Sequence, residues 1–503
     1  MKKPSVIVKD LRIKIQDTTV LDGISFSLLP GQHLALVGNS GSGKTTLAKA
    51  FAGKIHFSGS ISTGLNSTFS KSPAIALVEQ RYSFKNLSGS SDFYYQQRFN
   101  SFDADNSPTI AGELLNVVRE GENGQEKMEL IESGLQHLGI LHLKDAPLIQ
   151  LSSGEHKRFQ LVKALLNPPA LLILDSPYTG LDVASRAGLN KMLNGLTKRG
   201  TQLLLIPGTF PVPGFITHVA HLEDKLLTFF GEKEYFDSPA ADNFHENECL
   251  FVPSLLPIGK ERILSGTAIE MLDVTIKYGN KTIVEKLNWK VKHGEKWLLK
   301  GRNGAGKSSL LSLVTGDHPQ AYCNEIYLFG KKRGSGESIW DLKKNTGFVS
   351  PELHAYFDKT VSCYQVIGSG FFDTIGLFKK LNPEQNRSVM EWLDFLQLTS
   401  VQTRPLHAIP ASLQRLALLG RALVKNPPLL ILDEPCQGLD LQQRDLFISL
   451  VDHICSQSEK TLIYISHDEE EIPGCIQKVL YLQQGKQTIY LRNKHAAMAA
   501  MTS

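Results

Sequence analysis

No apolar run in this chain of 503 residues approaches the roughly 20 residues that span a bilayer, so the sequence predicts no transmembrane segment of its own. Its six cysteines, Cys249, Cys323, Cys363, Cys436, Cys455 and Cys475, are scattered without a single C-x-x-C pair. That spacing argues against a zinc site or a disulfide framework and fits reduced thiols in a cytoplasm. Neither sign of charge dominates: 54 Lys and Arg stand against 50 Asp and Glu, for a net charge of +4. Short basic clusters such as Lys331-Lys332-Arg333 and Lys343-Lys344 therefore read as solvated surface, and there is no strong nucleic-acid signal. The start, Met1-Lys2-Lys3-Pro4-Ser5, runs into a strand-like stretch with no signal-peptide pattern. With 42% apolar and 21% charged residues the composition is that of an ordinary globular protein. Its length suits roughly two to four domains, each with its own core.

Against these absences stand two phosphate-cradling loops. They are Gly38-Asn39-Ser40-Gly41-Ser42-Gly43-Lys44-Thr45, followed by Thr46, and Gly301-Arg302-Asn303-Gly304-Ala305-Gly306-Lys307-Ser308, followed by Ser309. Both match G-x-x-x-x-G-K-[ST]. Glycines let backbone N–H groups wrap a phosphate without Cβ clashes, the lysine reaches the β- and γ-phosphates, and the Thr or Ser hydroxyl holds Mg²⁺. Chance gives one such match in roughly fifty chains of this length. Here there are two, each between an apolar strand (Leu34-Ala35-Leu36-Val37; Trp297-Leu298-Leu299-Lys300) and a helix-like run. The sequence predicts tandem binding of nucleoside triphosphate with Mg²⁺.

The rest of the chain repeats in the same order. Nearly equal intervals separate Gly38 from Asp175 and Gly301 from Asp433, and each aspartate ends a Leu-Leu-Ile-Leu-Asp run after a Pro-Pro break. Continuous apolar runs of this kind suit parallel strands buried on both faces. Gly180-Leu181-Asp182 and Gly438-Leu439-Asp440 follow them. Alternating stretches, Ser5 to Leu29 and Ile269 to Val291, read as antiparallel strands, and residues around 108–166 and 360–425 read as mainly helical. The expected division is a first nucleotide-binding domain at 1–234, a linker at 235–265 and a second domain at 266–497.

The two P-loops, the Asp-terminated strands and Leu151-Ser152-Ser153-Gly154-Glu155 resemble the ATP-binding cassette (ABC) ATPase family over almost the whole chain. The last segment is similar to the family's LSGGQ signature. The resemblance implies an α/β fold of two tandem cassettes, each with a parallel-sheet core, an antiparallel β-subdomain and a helical subdomain. It also implies nucleotide sandwiches, in which the P-loop of one cassette faces the signature of the other; here both lie in one chain. In the second half, Leu310 to Gln320 and Leu328 to Lys344 are similar to the tandem ATP-binding proteins of molybdate transport.

Within that resemblance the halves are unequally equipped. In the second, Asp433 would support Mg²⁺ and Glu434 is placed to accept a proton from the attacking water. His467 fits the switch histidine that bonds the γ-phosphate, and Tyr278 would stack on adenine. In the first, Ser176 follows Asp175, and serine is no general base without its own activating partner. Ungapped matching of the halves sets Pro207 opposite His467, with Gly208 there after a one-residue shift, and Ile15 opposite Tyr278. Gln80 resembles the Q-loop glutamine that touches Mg²⁺, so the metal set would be Thr45, Gln80 and Ser308; Pro351 stands near the matching place in the second half. Pro410 falls opposite Ser152 and Ser412 opposite Gly154. Ile409 to Leu413 thus lacks a signature hydroxyl and one N–H, and it reads as a helix start.

The sequence therefore predicts an ATP hydrolase with one competent and one degenerate site. It would energise or regulate a transporter through a separate membrane permease, from the cytoplasm or at the inner face of the plasma membrane. The alternatives are a soluble ABC protein without a permease, such as a ribosome-associated factor, and a nucleotide-gated regulator. Phe84 to Pro108, with Phe93, Tyr94, Tyr95, Phe99 and Phe102, reads either as a partner-docking insert or as a surface loop.

Overall fold

In a computed structural model, the described residues are 5–15, 18–39, 41–64, 74–79, 107–118, 124–148, 151, 153–166, 169–181, 183–236, 256–257, 266–278, 281–301, 304–358, 360–483 and 485–492. The proposed linker and the aromatic segment 84–106 lie almost wholly outside them, as do Ser40, Gln80, Ser152, Arg302 and Asn303. Contacts divide the chain into two compact units, largely up to Glu248 and from Cys249 onward.

In the first unit, β1 (Val6–Ile15) and β2 (Thr18–Leu28) form a hairpin, and β4 (Ser58–Thr63) adds to β1 to complete an antiparallel sheet. The core sheet is made of β3 (Leu34–Val37), β5 (Ile75–Val78), β6 (Leu171–Asp175), β7 (Gln202–Ile206), β8 (His218–Glu223) and β9 (Leu226–Glu232), in the order β5-β6-β7-β3-β8-β9. Only the β8–β9 pair is antiparallel. Every residue of β6 and β7 is buried, as their uninterrupted apolar runs require of strands covered on both faces. Three helices, Ile110–Leu115, Gly124–His137 and Ser153–Leu166, lie between β5 and β6 in sequence.

The second unit repeats this plan. Its antiparallel sheet has the order β11-β10-β13-β14, from β10 (Thr267–Tyr278), β11 (Lys281–Lys292), β13 (Glu325–Leu328) and β14 (Lys331–Lys332). Its core sheet has the order β15-β16-β17-β12-β18-β19, from β12 (Lys296–Gly301), β15 (Thr346–Val349), β16 (Leu429–Asp433), β17 (Thr461–Ile465), β18 (Lys478–Gln483) and β19 (Lys486–Leu491). The helices Cys363–Gly368, Pro383–Phe395 and Ala411–Leu423 fill the corresponding interval. Serine and asparagine start two of them, Ser362 and Asn382 each closing a capping box with the glutamine three residues on.

The duplication extends to irregularities that hydropathy does not show. Asp10 and Asp273 both take positive φ, 48° or less, where a bulge interrupts the first hairpin. Their N–H groups are held alike, by Ser25 Oγ at 2.9 Å and Asn288 Oδ1 at 3.0 Å. In each unit the phosphate loop leaves the carboxyl end of a central strand, β3 or β12, beside the ends of β6 and β7 or β16 and β17. Strand order switches there, which opens a crevice at the strand ends. No helix among the described residues is long and apolar enough to cross a membrane.

Candidate functional site

Each phosphate loop is clamped by its glycines. Gly43 and Gly306 both sit at φ 96°, capping the helices Lys44–Phe51 and Lys307–Thr315. A Cβ on Gly43 would stand 2.6 Å from Leu21 Cδ2, and one on Gly306 2.8 Å from Val284 Cγ2. The end of each loop is thus wedged against the neighbouring hairpin at Gly43 and Gly306. In the first loop Lys44 Nζ donates to the carbonyls of Gly38 (2.7 Å) and Asn39 (2.6 Å) and lies 3.3 Å from Ser42 Oγ. Burial pulls this ammonium down to about 8, against the opposing pull of Asp175. In the second, the buried Lys307 Nζ donates to the Gly301 carbonyl at 2.7 Å. Thr46 and Ser309 sit in the first turns of the two helices, and Gly41, Gly304 and Ala305 in the bends before them.

The strand ends meet the loops. Thr45 Oγ1 donates to Asp175 Oδ2 at 2.9 Å. Burial raises the Asp175 carboxyl, while the Thr45 hydroxyl, Lys157 and Ser176 pull it the other way. A hydroxyl and a carboxylate at this spacing are hard oxygen donors of the type Mg²⁺ takes, so these residues fit the metal that the fold implies. Ser308 and Asp433 hold the matching positions in the second unit.

One residue beyond the aspartates, the units part ways. Ser176 and Glu434 share a strained backbone, φ 48° and 42°, and each N–H bonds the last carbonyl of the adjoining strand, Ile206 or Ile465, at 2.9 Å. In the second unit His467 Nε2 lies 3.2 Å from Glu434 Oε1, and Gln437 Nε2 donates to Glu434 Oε2 at 3.2 Å. His467, with Lys307 and Arg415, holds this carboxyl below the usual range despite its burial. It is therefore ionised at neutral pH. In the first unit Ser176 Oγ donates to Asp175 Oδ1 at 3.3 Å.

Sheet register corrects the ungapped matching. Asp175 pairs with Ile206 and Asp433 with Ile465, so Pro207 corresponds to Ser466, and Gly208 to His467. Gly208 has φ 72°, and a Cβ there would lie 3.8 Å from Ser176 Oγ. The same logic pairs Val78 with Leu174 and Val349 with Leu432, which sets Pro351 in the place of Gln80. Pro351 opens the helix Pro351–Tyr356 behind Ser350, whose Oγ accepts from Leu353 N at 3.0 Å. Ile15 and Tyr278 are each the last residue of a first strand and pair across equal hairpins, with Thr18 and Lys281. Pro410 caps the helix Ala411–Leu423, while the helix Ser153–Leu166 carries Ser153, Gly154 and Glu155 in its first turn.

Two cations near the strand ends were missed from sequence. Lys157 Nζ donates to the carbonyls of Glu79 (2.6 Å) and Asp175 (3.0 Å), and burial lowers it to about 8. It ties the residue before Gln80 to the end of β6. Arg415 Nη2 donates to the Gln437 carbonyl at 3.1 Å, bracing the residue that bonds Glu434. The available signal was positional: matching the helices places Lys157 and Arg415 opposite one another.

A profile of the ABC transporter family matches residues 21–179 and 284–437. The ABC transporter ATP-binding protein ModF of Escherichia coli is 37% identical over 487 residues, 92% of this chain and 94% of that protein. An uncharacterised ABC transporter ATP-binding protein of Schizosaccharomyces pombe is 32% identical over 496 residues, 95% of this chain and 99% of its own. Another, from Saccharomyces cerevisiae, is 27% identical over 74% of this chain and 75% of its own. With both nucleotide-binding units matched and the likeness running nearly end to end, the chain belongs to the ABC transporter family, as an ABC-type ATP hydrolase with two cassettes in tandem.

Proposed function

We propose that the two cassettes close head to tail on ATP, that the second P-loop hydrolyses it and that the first retains it. The cycle would energise or regulate a transporter through a separate permease, of molybdate type by the resemblance of Leu310 to Gln320 and Leu328 to Lys344. One observation carries the asymmetry: at matching backbone positions, Glu434 faces His467 whereas Ser176 faces Gly208. In the second site Lys307 supplies fixed positive charge, and Glu434 takes a proton from water while His467 and Gln437 keep its carboxylate aimed. Mg²⁺, held through Ser308 and Asp433, would neutralise phosphate charge. The first site keeps Lys44, Thr45 and Asp175, which suffice to hold a nucleotide, but Ser176 and Gly208 stand where the second site has Glu434 and His467.

Pro351 favours a second reading, a nucleotide-gated regulator without a permease, because a proline in the place of Gln80 offers no amide to sense metal or partner. Copurification separates the two: a membrane permease supports the first, and its absence the second.

The test of the asymmetry is to purify the chain after prolonged turnover and count unhydrolysed ATP. Lys44→Ala should remove the retained nucleotide, and Lys307→Ala most of the hydrolysis. If Lys307→Ala leaves activity intact and Lys44→Ala abolishes it, the two sites have been assigned in reverse.

A further inference from the structure

His467 does not stand alone at the end of β17. Ser466, 1% exposed, sits between that strand and the histidine, and its hydroxyl donates to Glu471 Oε2 at 2.6 Å. Ser466 Oγ in turn accepts from Asp468 N at 3.1 Å. Glu471 ends the single 3-10 turn Glu469–Glu471, so the chain leaves Ser466, presents His467 and returns to close on Ser466. Asp468 Oδ1 caps the turn by accepting from Glu470 N at 3.1 Å, and two ion pairs add to it: Glu469 with Lys300, and Glu470 with Arg444 at 2.7 Å. Both are rim pairs with carboxylates more than half exposed, worth little each. The Ser466–Glu471 bond is the buried one, and a buried hydroxyl that loses its partner bears a full desolvation cost.

The first unit has none of this. Pro207 takes the place of Ser466, and no Asp or Glu occurs between Ile206 and His218. The brace and the histidine are present together in one unit and missing together in the other.

We propose that Glu471 is a positioning residue for ATP hydrolysis. By accepting the Ser466 hydroxyl it fixes the turn from which His467 reaches Glu434, and so keeps the imidazole in register with the base. This rests on the assignment of Glu434 and His467 to the hydrolytic site.

The test uses the full-length chain and compares kcat, KM for MgATP, ATP affinity and thermal midpoint for Glu471→Ala, Glu471→Gln, Ser466→Ala and the double alanine variant, with Glu434→Gln as reference. Glu471→Ala and Ser466→Ala should each lower kcat by at least about tenfold, the scale of a slightly misplaced catalytic group, with KM changed less than about twofold. The double variant should be no slower than the worse single one, because the two side chains act as one unit. Glu471→Gln, whose amide oxygen accepts the same bond, should recover to within about threefold of the wild type. A purely structural role would lower the thermal midpoint without this separation of kcat from KM. Should Glu471→Ala prove unfolded, Ser466→Ala and the glutamine variant still decide. Full kcat in Ser466→Ala and Glu471→Ala, with Glu434→Gln inactive, overturns the positioning role alone. An active Glu434→Gln overturns the site on which it rests.

Discussion

Replacing Glu434 by glutamine changes one atom and isolates the chemistry from the architecture. The glutamine oxygen can keep the bond from Gln437 Nε2, now 3.2 Å long, and its NH₂ can donate to a neutral His467 Nε2, now 3.2 Å from the carboxylate. Folding and ATP binding should therefore be nearly unchanged. What is lost is the basic oxygen. A positioned general base contributes at least about 100-fold, equivalent to about 2.7 kcal/mol of barrier at 1.36 kcal/mol per tenfold. The hydrogen bond with His467, with Lys307 and Arg415, keeps the wild-type carboxyl below its ordinary range, so the same deficit is expected at pH 6.5 and at pH 8.5. The assay is phosphate release at saturating MgATP, alongside direct ATP binding and a denaturation midpoint. Turnover within about threefold of the wild type, with binding intact, would refute the assignment of Glu434. So would a deficit that vanishes on lowering the pH to 6.5, because the wild-type base would then not be ionised there as the geometry requires.

Substitutions in the two signatures should be unequal. Ser152→Arg should abolish turnover by placing bulk and charge where the proposed head-to-tail pairing would put the γ-phosphate, whereas Pro410→Arg should leave much of it, and equal effects would refute that pairing. Gly43→Ala combines φ 96° with a contact at 2.6 Å from Leu21 Cδ2, whereas Gly41→Ala at φ 83° meets nothing within 4 Å. The first should cost about 2 kcal/mol more than the second in urea unfolding, and equal midpoints would show that the loop yields. Burial raises Glu471 to about 7, with Asp468 and Glu434 adding to the effect, and Ser466 and Arg444 opposing it. A carboxyl raised on folding stabilises the fold below its unfolded value and loses that advantage as pH rises through about 7. Stability should therefore fall between about pH 4.5 and 7 by up to about 3 kcal/mol, and Glu471→Gln should flatten that fall; an unchanged slope would refute it.

Much of the architecture was legible because it rests on long apolar runs and on glycines that leave few alternatives. Leu171 to Asp175 and Leu429 to Asp433 could hardly be other than buried parallel strands, and both sheets place them beside the phosphate loops. The alternating segments Ser5 to Leu29 and Ile269 to Val291 became hairpins for an equally simple reason, their period of two. Lys157 and Arg415 were hidden because a cation in a helix normally marks solvent. Only the fold shows these two buried against carbonyls at the strand ends. The bulges at Asp10 and Asp273 were hidden as well, since polar residues inside a strand carry no sign of which backbone angle they take.

The misplaced partner of His467 shows where matching by eye fails. Counting along the sequence aligned Pro207 with the histidine, because the segments before the two strands differ in length and no apolar residue marks the turn. Hydrogen bonding settles it: Ile206 and Ile465 accept from the residues after the two aspartates, and one step further along, Pro207 and Ser466 correspond. The correction deepens the contrast between the sites. Where the second unit has a hydroxyl that closes a buried bond and then an imidazole facing a carboxylate, the first has a proline without an N–H and then a glycine at φ 72°. Restoring a base alone at Ser176 would therefore leave it with no imidazole to aim it. On the proposed assignment, the first site differs from the second in the backbone turn that would carry the imidazole, as well as in the residue that would take the proton.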